Sequence, residues 1–409
     1  MASAISVTVL RTQSDIEGHL ELMRTVFGER SRVDVMVRKW IDHYPAVTLD
    51  DFFVAKSRGK IVAALNLLPL KWEIGVVPLA VAELACVATH PNYRHMGLQK
   101  MLMKEYDQRV SDQGYDLSAI EGIPYYYRQF GYEYALPLSE ETRIGLDQIP
   151  ESNSTGKIRP FRKSDLTQAA KLLRAAKQRF YVHSIRDEGV WKMQQETRMV
   201  AEREFHTYAV EKKGKMIAYF RLSENSEAKI LVLTEMTDVN YGQARLVLAF
   251  LGTECKRRGL QNLNVIASYH EPFTEFLASA GGIKQFPQYA WQLRVIDHVR
   301  LLTKMRPLFE RRLSASIYRG FTENINLNLY HNTIKLIIKH GKLEKIQKLD
   351  TCDHRDIRMN PEVFTQLIVG YRSREELETI YPDFMIRPSH RYLIDVMFPK
   401  KPSFIHTEY

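Results

Sequence analysis

Cysteine is scarce. Only three stand in 409 residues, Cys86, Cys255 and Cys352, far apart and with no C-x-x-C pair. That excludes a disulfide framework or a cysteine-rich zinc site and reads as a reducing, cytoplasmic setting. The thirteen histidines show no H-x-x-x-H or H-E-x-x-H spacing, and Cys352, Asp353 and His354 stand alone, so no metal is expected. No uninterrupted apolar run is long enough to span a bilayer, and the first fifteen residues lack the basic stretch and apolar run of a secretory signal. Walker, G-x-G-x-x-G and G-x-S-x-G patterns are missing, which sets aside nucleotide folds and serine hydrolases. A basic excess is present, with 58 Lys and Arg against 48 Asp and Glu. The cations are interleaved with acids, however, and the runs Lys256-Arg257-Arg258 and Lys400-Lys401 are short. With no zinc-finger, basic-zipper or RNA-recognition signature, nucleic acid is not the expected partner, and an anionic small molecule is.

What is there is enough apolar material, 45% of the residues, for more than one core. The order of segments repeats. Ile5 to Leu10 reads as a strand, and Ser14 and Asp15 can cap a helix through Leu20, Met23 and Phe27. Residues 52–56 and 61–65 form a hairpin about Gly59. Next come a strand from Ala80 to Val87, a helix from Gly97 to Val110, a strand at Leu117 to Ile120 and an aromatic turn at Tyr125 to Phe130. The same succession returns from Ile158, with a hairpin about Gly214, a strand at Leu231 to Thr237, a helix at Leu246 to Lys256, a strand at Leu263 to Ala267 and a short helix at Phe273 to Ala278. Only two copies exist, so a duplicated α/β unit is expected rather than a solenoid. The polar residues 151–157 read as the link. Beyond His298 the pattern changes. A helix is expected at Pro307 to Ile317, opened by its proline, then strands at Ile325 to Leu329 and Thr333 to Ile338, and a helix at Pro361 to Val369 ended by Gly370. The predicted fold is α/β (α+β) with mixed sheets, in three parts: 1–150, 151–297 and 298–409.

The chemistry concentrates after the strand that ends near Thr89. A turn, His90-Pro91-Asn92-Tyr93-Arg94-His95-Met96, leads to Gly97, and a helix starts there. Its first-turn N–H groups and dipole converge on one spot, which suits a pyrophosphate. Gly97 permits close backbone approach, and Arg94 offers a charged contact. Tyr127 stands in a Tyr-Tyr-Tyr run that by itself reads as aromatic packing. Cys86 lies in the strand without an evident histidine partner and reads as a small packed residue.

Arg94-His95-Met96-Gly97 together with Tyr127-Arg128-Gln129-Phe130-Gly131-Tyr132 resembles the GNAT superfamily of N-acetyltransferases, in its R/Q-x-x-G-x-G/A and Y-x-x-x-G-[FY] elements. Gln99 departs, standing where most members have Gly or Ala. With the duplication, the length and the segment Phe364 to Tyr371, the whole chain resembles the enhanced-intracellular-survival (Eis) family, whose members join two GNAT-like units to a C-terminal sterol-carrier-like domain. The resemblance implies acetyl-CoA as co-substrate, with no metal. Val87, Ala88 and Thr89 would pair with its pantetheine arm, and His95, Met96, Gly97, Leu98, Gln99 and Lys100 would wrap the pyrophosphate beside Arg94. Ile120 and Glu121 would line the acetyl end. Tyr127 falls on the proton-donor position, and the carboxylate of Tyr409 on the proton-acceptor position. A tyrosine, with its pKa of about 10, stays protonated at neutral pH and can protonate a departing thiolate. The acceptor would be a primary amine: a small cationic amine, an aminoglycoside-like compound or a lysine side chain. Homo-oligomerisation is implied too, with no subunit number. In the second unit the matching loop, Thr237 to Arg245, lacks Arg-x-x-Gly and carries Asp238, so that unit is expected to be scaffold or pocket wall. The alternative reading is a lipid or apolar-ligand binding protein, with Ile325 to Leu329 facing a cavity and a vestigial or regulatory CoA site.

Overall fold

The structure is a computed structural model that describes residues 5–151, 156–267, 271–285, 290–350 and 356–409. Most of the expected link, and Cys352, Asp353 and His354, lie outside the described residues.

The first sheet grows from tight antiparallel connections. Strands Phe52–Ser57 and Lys60–Ile74 join through Arg58 and Gly59, with φ of 50° and 78°. Two consecutive positive φ values make the two-residue turn whose twist matches the strands it joins. Lys60–Ile74 then pairs along its length with Val77–Thr89, and Ile5–Val9 closes the outer edge beside Phe52–Ser57. Helix Leu98–Asp112 leads to Leu117–Ile120, parallel to Val77–Thr89. That parallel pairing stops at Glu83 opposite Ala119, so the two strands diverge beyond it.

The two central sheets exchange strands. Trp291–Val295, from the far end of the second unit's stretch, lies in the first sheet between Leu117–Ile120 and Glu133–Leu136. Reciprocally, Glu140–Gly145 lies in the second sheet beside Asn262–Ala267. The segments 1–150 and 151–297 therefore each hold a strand of the other's sheet. Trp291 and Leu293 are essentially fully buried there, which fixes the insertion through apolar packing. The third sheet is separate and five-stranded, with Glu323–Asn328 between Thr333–Lys339 and Ile357–Arg358.

Local differences from the sequence reading have physical causes. Thr12, not Ser14 or Asp15, caps helix Gln13–Phe27, its hydroxyl accepting the Asp15 amide at 3.1 Å. The helix Val33–His43 has no counterpart among the expected elements. Pro307 lies inside helix His298–Ser314 rather than opening it. Asp297 caps that helix at the Arg300 amide, 2.9 Å, and Leu301, Met305, Leu308, Phe309 and Leu313 keep one buried face. Packing along that face outweighs the roughly 3 kcal/mol that an internal proline costs. Ile325 and Leu327 are fully buried and pair in register with Leu336 and Ile334, so this alternation serves a packed core.

Candidate active site

The strand Val77–Thr89 carries a bulge where the site opens. Its register against Lys60–Ile74 shifts between Ala64 and Asn66, and Cys86 takes a left-handed φ of 48°. A bulge adds a residue to one strand and re-aims the residues beyond it. Past it, Ala88 and Thr89 pair with Ala64 and Ala63 on one edge, while the other edge has left Leu117–Ile120. Val87, Ala88 and Thr89 thus border an open wedge in the sheet.

At the strand's far end lies the phosphate-type loop. His95 and Gly97 are left-handed, at φ of 63° and 74°, and Gly97 gives helix Leu98–Asp112 no side-chain cap. A Cβ at Gly97 would meet nothing within 4 Å, so the glycine serves the backbone conformation and leaves the helix end open. Arg94, His95, Met96 and Lys100 are exposed around it, whereas the Leu98 side chain is buried. The Gln99 side chain turns inward. Its amide donates to the Ala88 carbonyl at 2.8 Å and to the Thr89 hydroxyl at 2.9 Å, tying the helix start to the strand tip. Only its backbone remains to face an anion.

Tyr127 comes from the short helix Tyr126–Phe130 and is buried. Its ring lies over Gly122, where an added Cβ would come within 2.2 Å of it. Glycine is the residue that leaves room for that ring. Gln292, fully buried on the exchanged strand, donates to the Gly122 carbonyl at 3.0 Å and holds the segment.

Tyr409 arrives from the opposite end of the sequence. After helix Arg391–Met397 the chain runs across the second unit, where the Phe404 amide donates to Val182 at 3.0 Å. The Ala201 amide donates to the Tyr409 carbonyl-end oxygen, and the Tyr409 ring packs edge-on against Trp40, 5.4 Å between centroids. Its phenol donates to Glu83 Oε1 at 2.8 Å.

These parts meet at one cavity of about 430 Å³. Val87, Tyr127 and Tyr409 line it, with the carboxyls of Glu83, Glu121, Glu202 and Glu235. The second unit contributes wall, chiefly Arg221, Thr234 and Glu235. Residues Arg94 to Lys100 lie outside that lining, one strand-length away at the loop.

Burial governs the charges here. Glu83 is 4% exposed, and its Oε2 has no hydrogen-bond partner among the described residues. Burial, then Glu121, pushes its carboxyl well above the usual range, against the hydrogen bond from Tyr409. Glu121 is exposed on the cavity wall; withdrawal from bulk water there, then Glu202, raises its carboxyl to about 7. The half-buried Cys86 thiol is pushed up by burial and by Glu83 and Glu202, which keeps it protonated and a poor nucleophile.

The second unit's loop is closed on itself. Asn240 and Gln243 cap helix Tyr241–Arg258 reciprocally, at 3.0 and 2.9 Å, and Asp238 is paired with Arg179. The Asn240 and Gln243 amides are thus taken by the chain's own side chains.

Sequence reasoning missed Glu83 and Glu202 as cavity groups. A signal existed for Glu83: it is the single charge in the apolar run Val81 to Ala88. Glu202 had none, since only the fold carries it across from the second unit.

Residues 10–135 match the family model described as an acetyltransferase (GNAT) domain. Three solved structures are similar over the whole chain. A GCN5-related N-acetyltransferase from Anabaena variabilis is 16% identical, with 98% of this chain and 99% of that chain covered and a TM-score of 0.75. A conserved Enterococcus faecalis protein of unknown function, described as a probable N-acyltransferase, is 18% identical, with 98% and 99% covered and a TM-score of 0.76. Eis1 from Mycobacterium abscessus is 14% identical, with 99% and 100% covered and a TM-score of 0.65. No curated protein sequence matches. The chain thus carries a GNAT acetyltransferase domain at its N-terminal end, within an α/β fold shared along its full length with these proteins. Among the described residues, no helix is long and apolar enough to cross a membrane.

Proposed function

We propose that the protein transfers an acetyl group from acetyl-CoA to a primary amine, directly and without an acyl-enzyme. The observation that carries this reading is the convergence of Tyr127 and Tyr409 on one carboxyl-lined cavity at the diverging strands. The pyrophosphate fits the open helix start at Gly97, with Arg94, His95, Met96 and Lys100 around it and the backbone of Leu98 and Gln99 behind. The pantetheine arm adds to the strand edge at Val87, Ala88 and Thr89, which brings the thioester toward Tyr127.

The acceptor enters from the carboxyl-lined side as a cation, a small amine, an aminoglycoside-like compound or a lysine side chain. The Tyr409 carboxylate takes a proton from the attacking nitrogen. That nitrogen forms the new C–N bond, the C–S bond breaks, the Tyr127 hydroxyl protonates the leaving sulfur, and the second nitrogen proton restores the Tyr127 phenol while the Tyr409 carboxyl returns its proton to solvent. Holding both groups beside one carbonyl replaces a bimolecular encounter with a preset geometry. The architecture accords with an Eis-type chain whose C-terminal part is a sterol-carrier-like domain that delivers Tyr409. The free thiols of Cys86 and Cys255 accord with a cytoplasmic setting.

Tyr127→Phe should lower kcat by about a hundredfold to ten-thousandfold with acetyl-CoA affinity preserved, the range for loss of a general acid. One residue added after Tyr409 should act likewise. Thiol release and mass-spectrometric identification of the acetylated amine, over a panel of polyamines, aminoglycosides and lysine peptides, measure both. Full activity in the two variants would refute the assignment.

A further inference from the structure

Glu408 and Tyr409 are gripped by a buried set of charges that belongs to the second unit. Glu408, 4% exposed, accepts Lys177 Nζ at 2.5 Å, Ser184 Oγ at 2.8 Å and the Arg186 Nε. Arg186 extends in a fork to Glu235, at 3.0 and 2.5 Å, and Arg221 approaches Glu235 at 3.4 Å. Gln194, fully buried, joins the two ends: its amide nitrogen donates to the Glu408 carbonyl at 2.8 Å, and its oxygen accepts Arg221 Nη1 at 2.8 Å. Burial raises the Glu408 carboxyl, but Arg186 and Lys177 outweigh it and hold it at about 2. Within this network three cations (Lys177, Arg186, Arg221) face two carboxylates (Glu235, Glu408). Arg221, which pairs with Glu235 through its Nε, borders the cavity with its guanidinium over the Phe205 and Trp191 rings, at 4.3 and 5.2 Å from their centroids.

We propose that Glu408 and Gln194 are positioning residues, and that the second unit, its own phosphate-type loop closed, acts as a cationic socket that seats the last dipeptide. The inference rests on the reading of the Tyr409 carboxylate as proton acceptor. The dipeptide is held at four points: the Glu408 carboxylate and carbonyl, the Tyr409 oxygen on Ala201, and the Tyr409 phenol on Glu83. A buried ion network stabilises a fold no better than apolar packing of the same volume. Its distinct contribution here is a fixed direction for the group beyond it.

The test uses the full chain with Gln194→Leu, Glu408→Gln and the double variant Lys177→Met/Glu408→Leu, which exchanges the buried pair for apolar packing. Thermal denaturation confirms folding. Steady-state kinetics with an acceptor found in the panel should show kcat reduced on the order of a hundredfold, as for a misplacement of about 1 Å. KM for acetyl-CoA should stay unchanged, and Glu408→Asp should restore part of kcat. Folded variants that keep kcat within twofold, while a one-residue extension after Tyr409 abolishes turnover, would sink the socket and leave the carboxylate reading standing. An extended chain with full turnover would sink the carboxylate reading and the socket with it.

Discussion

Glu121 shows how one side chain can set both a pH response and a stability cost. Its folded-state pKa of about 7 lies above the ordinary carboxylate range. Between that range and 7 the folded protein holds a proton the unfolded chain has released, so stability falls as pH rises through this window. A cationic acceptor needs the ionised form. KM for an alkylamine that stays protonated throughout should therefore rise as pH falls below 7, and Glu121→Gln should flatten that profile and raise KM at alkaline pH. Initial-rate measurements across neutral pH decide it; an unaltered profile in the variant would remove Glu121 from acceptor binding. At this scale the sequence was unevenly informative. Tyr127 and Gly97 stand in local patterns that single them out, and Glu83 breaks an apolar run. Glu202 and Arg221 are ordinary charged residues until the fold turns them into a cavity wall, and no spacing along the chain encodes that.

On the proposed function, cofactor affinity turns on the helix Leu98–Asp112, and Gln99 anchors that helix to the strand. Where a small residue would let the loop lie freely, Gln99 bridges helix and strand through Ala88 and Thr89. Gln99→Ala should cost about 1–2 kcal/mol of stability, as the Ala64, Ala88 and Thr89 acceptors lose their donor. It should also weaken acetyl-CoA binding severalfold, because the loop is no longer held ready. Calorimetric titration and thermal unfolding give both numbers, and an unchanged pair would show that the side chain orders nothing. Element order was legible because hairpins and amphipathic helices write their periods into the sequence. Element ends were less so. Thr12 displaced Ser14 and Asp15 as cap, and the tertiary packing of Leu301 through Leu313 carried a helix straight past Pro307.

At the scale of the molecule, the reciprocal exchange of Glu140–Gly145 and Trp291–Val295 escaped the sequence reading, since strand patterns name a partner type and not a partner. A fragment of residues 1–150 lacks Trp291–Val295 and the Gln292 support for Gly122, while exposing the edges of Leu117–Ile120 and Glu133–Leu136. It should aggregate or stay partly folded, and adding a chain of residues 151–409 should restore a folded complex. Circular dichroism and size-exclusion chromatography test this, and a stable, monomeric, CoA-binding fragment would contradict it. The same exchange governs the order of events during synthesis. Roughly 170 residues separate Ile120 from the Trp291 that must lie beside its strand. At about 5–20 residues per second, the first sheet waits roughly ten to thirty seconds on the ribosome with a gap between Leu117–Ile120 and Glu133–Leu136. This chain is not made one finished unit after another; its front half matures only when its back half has emerged.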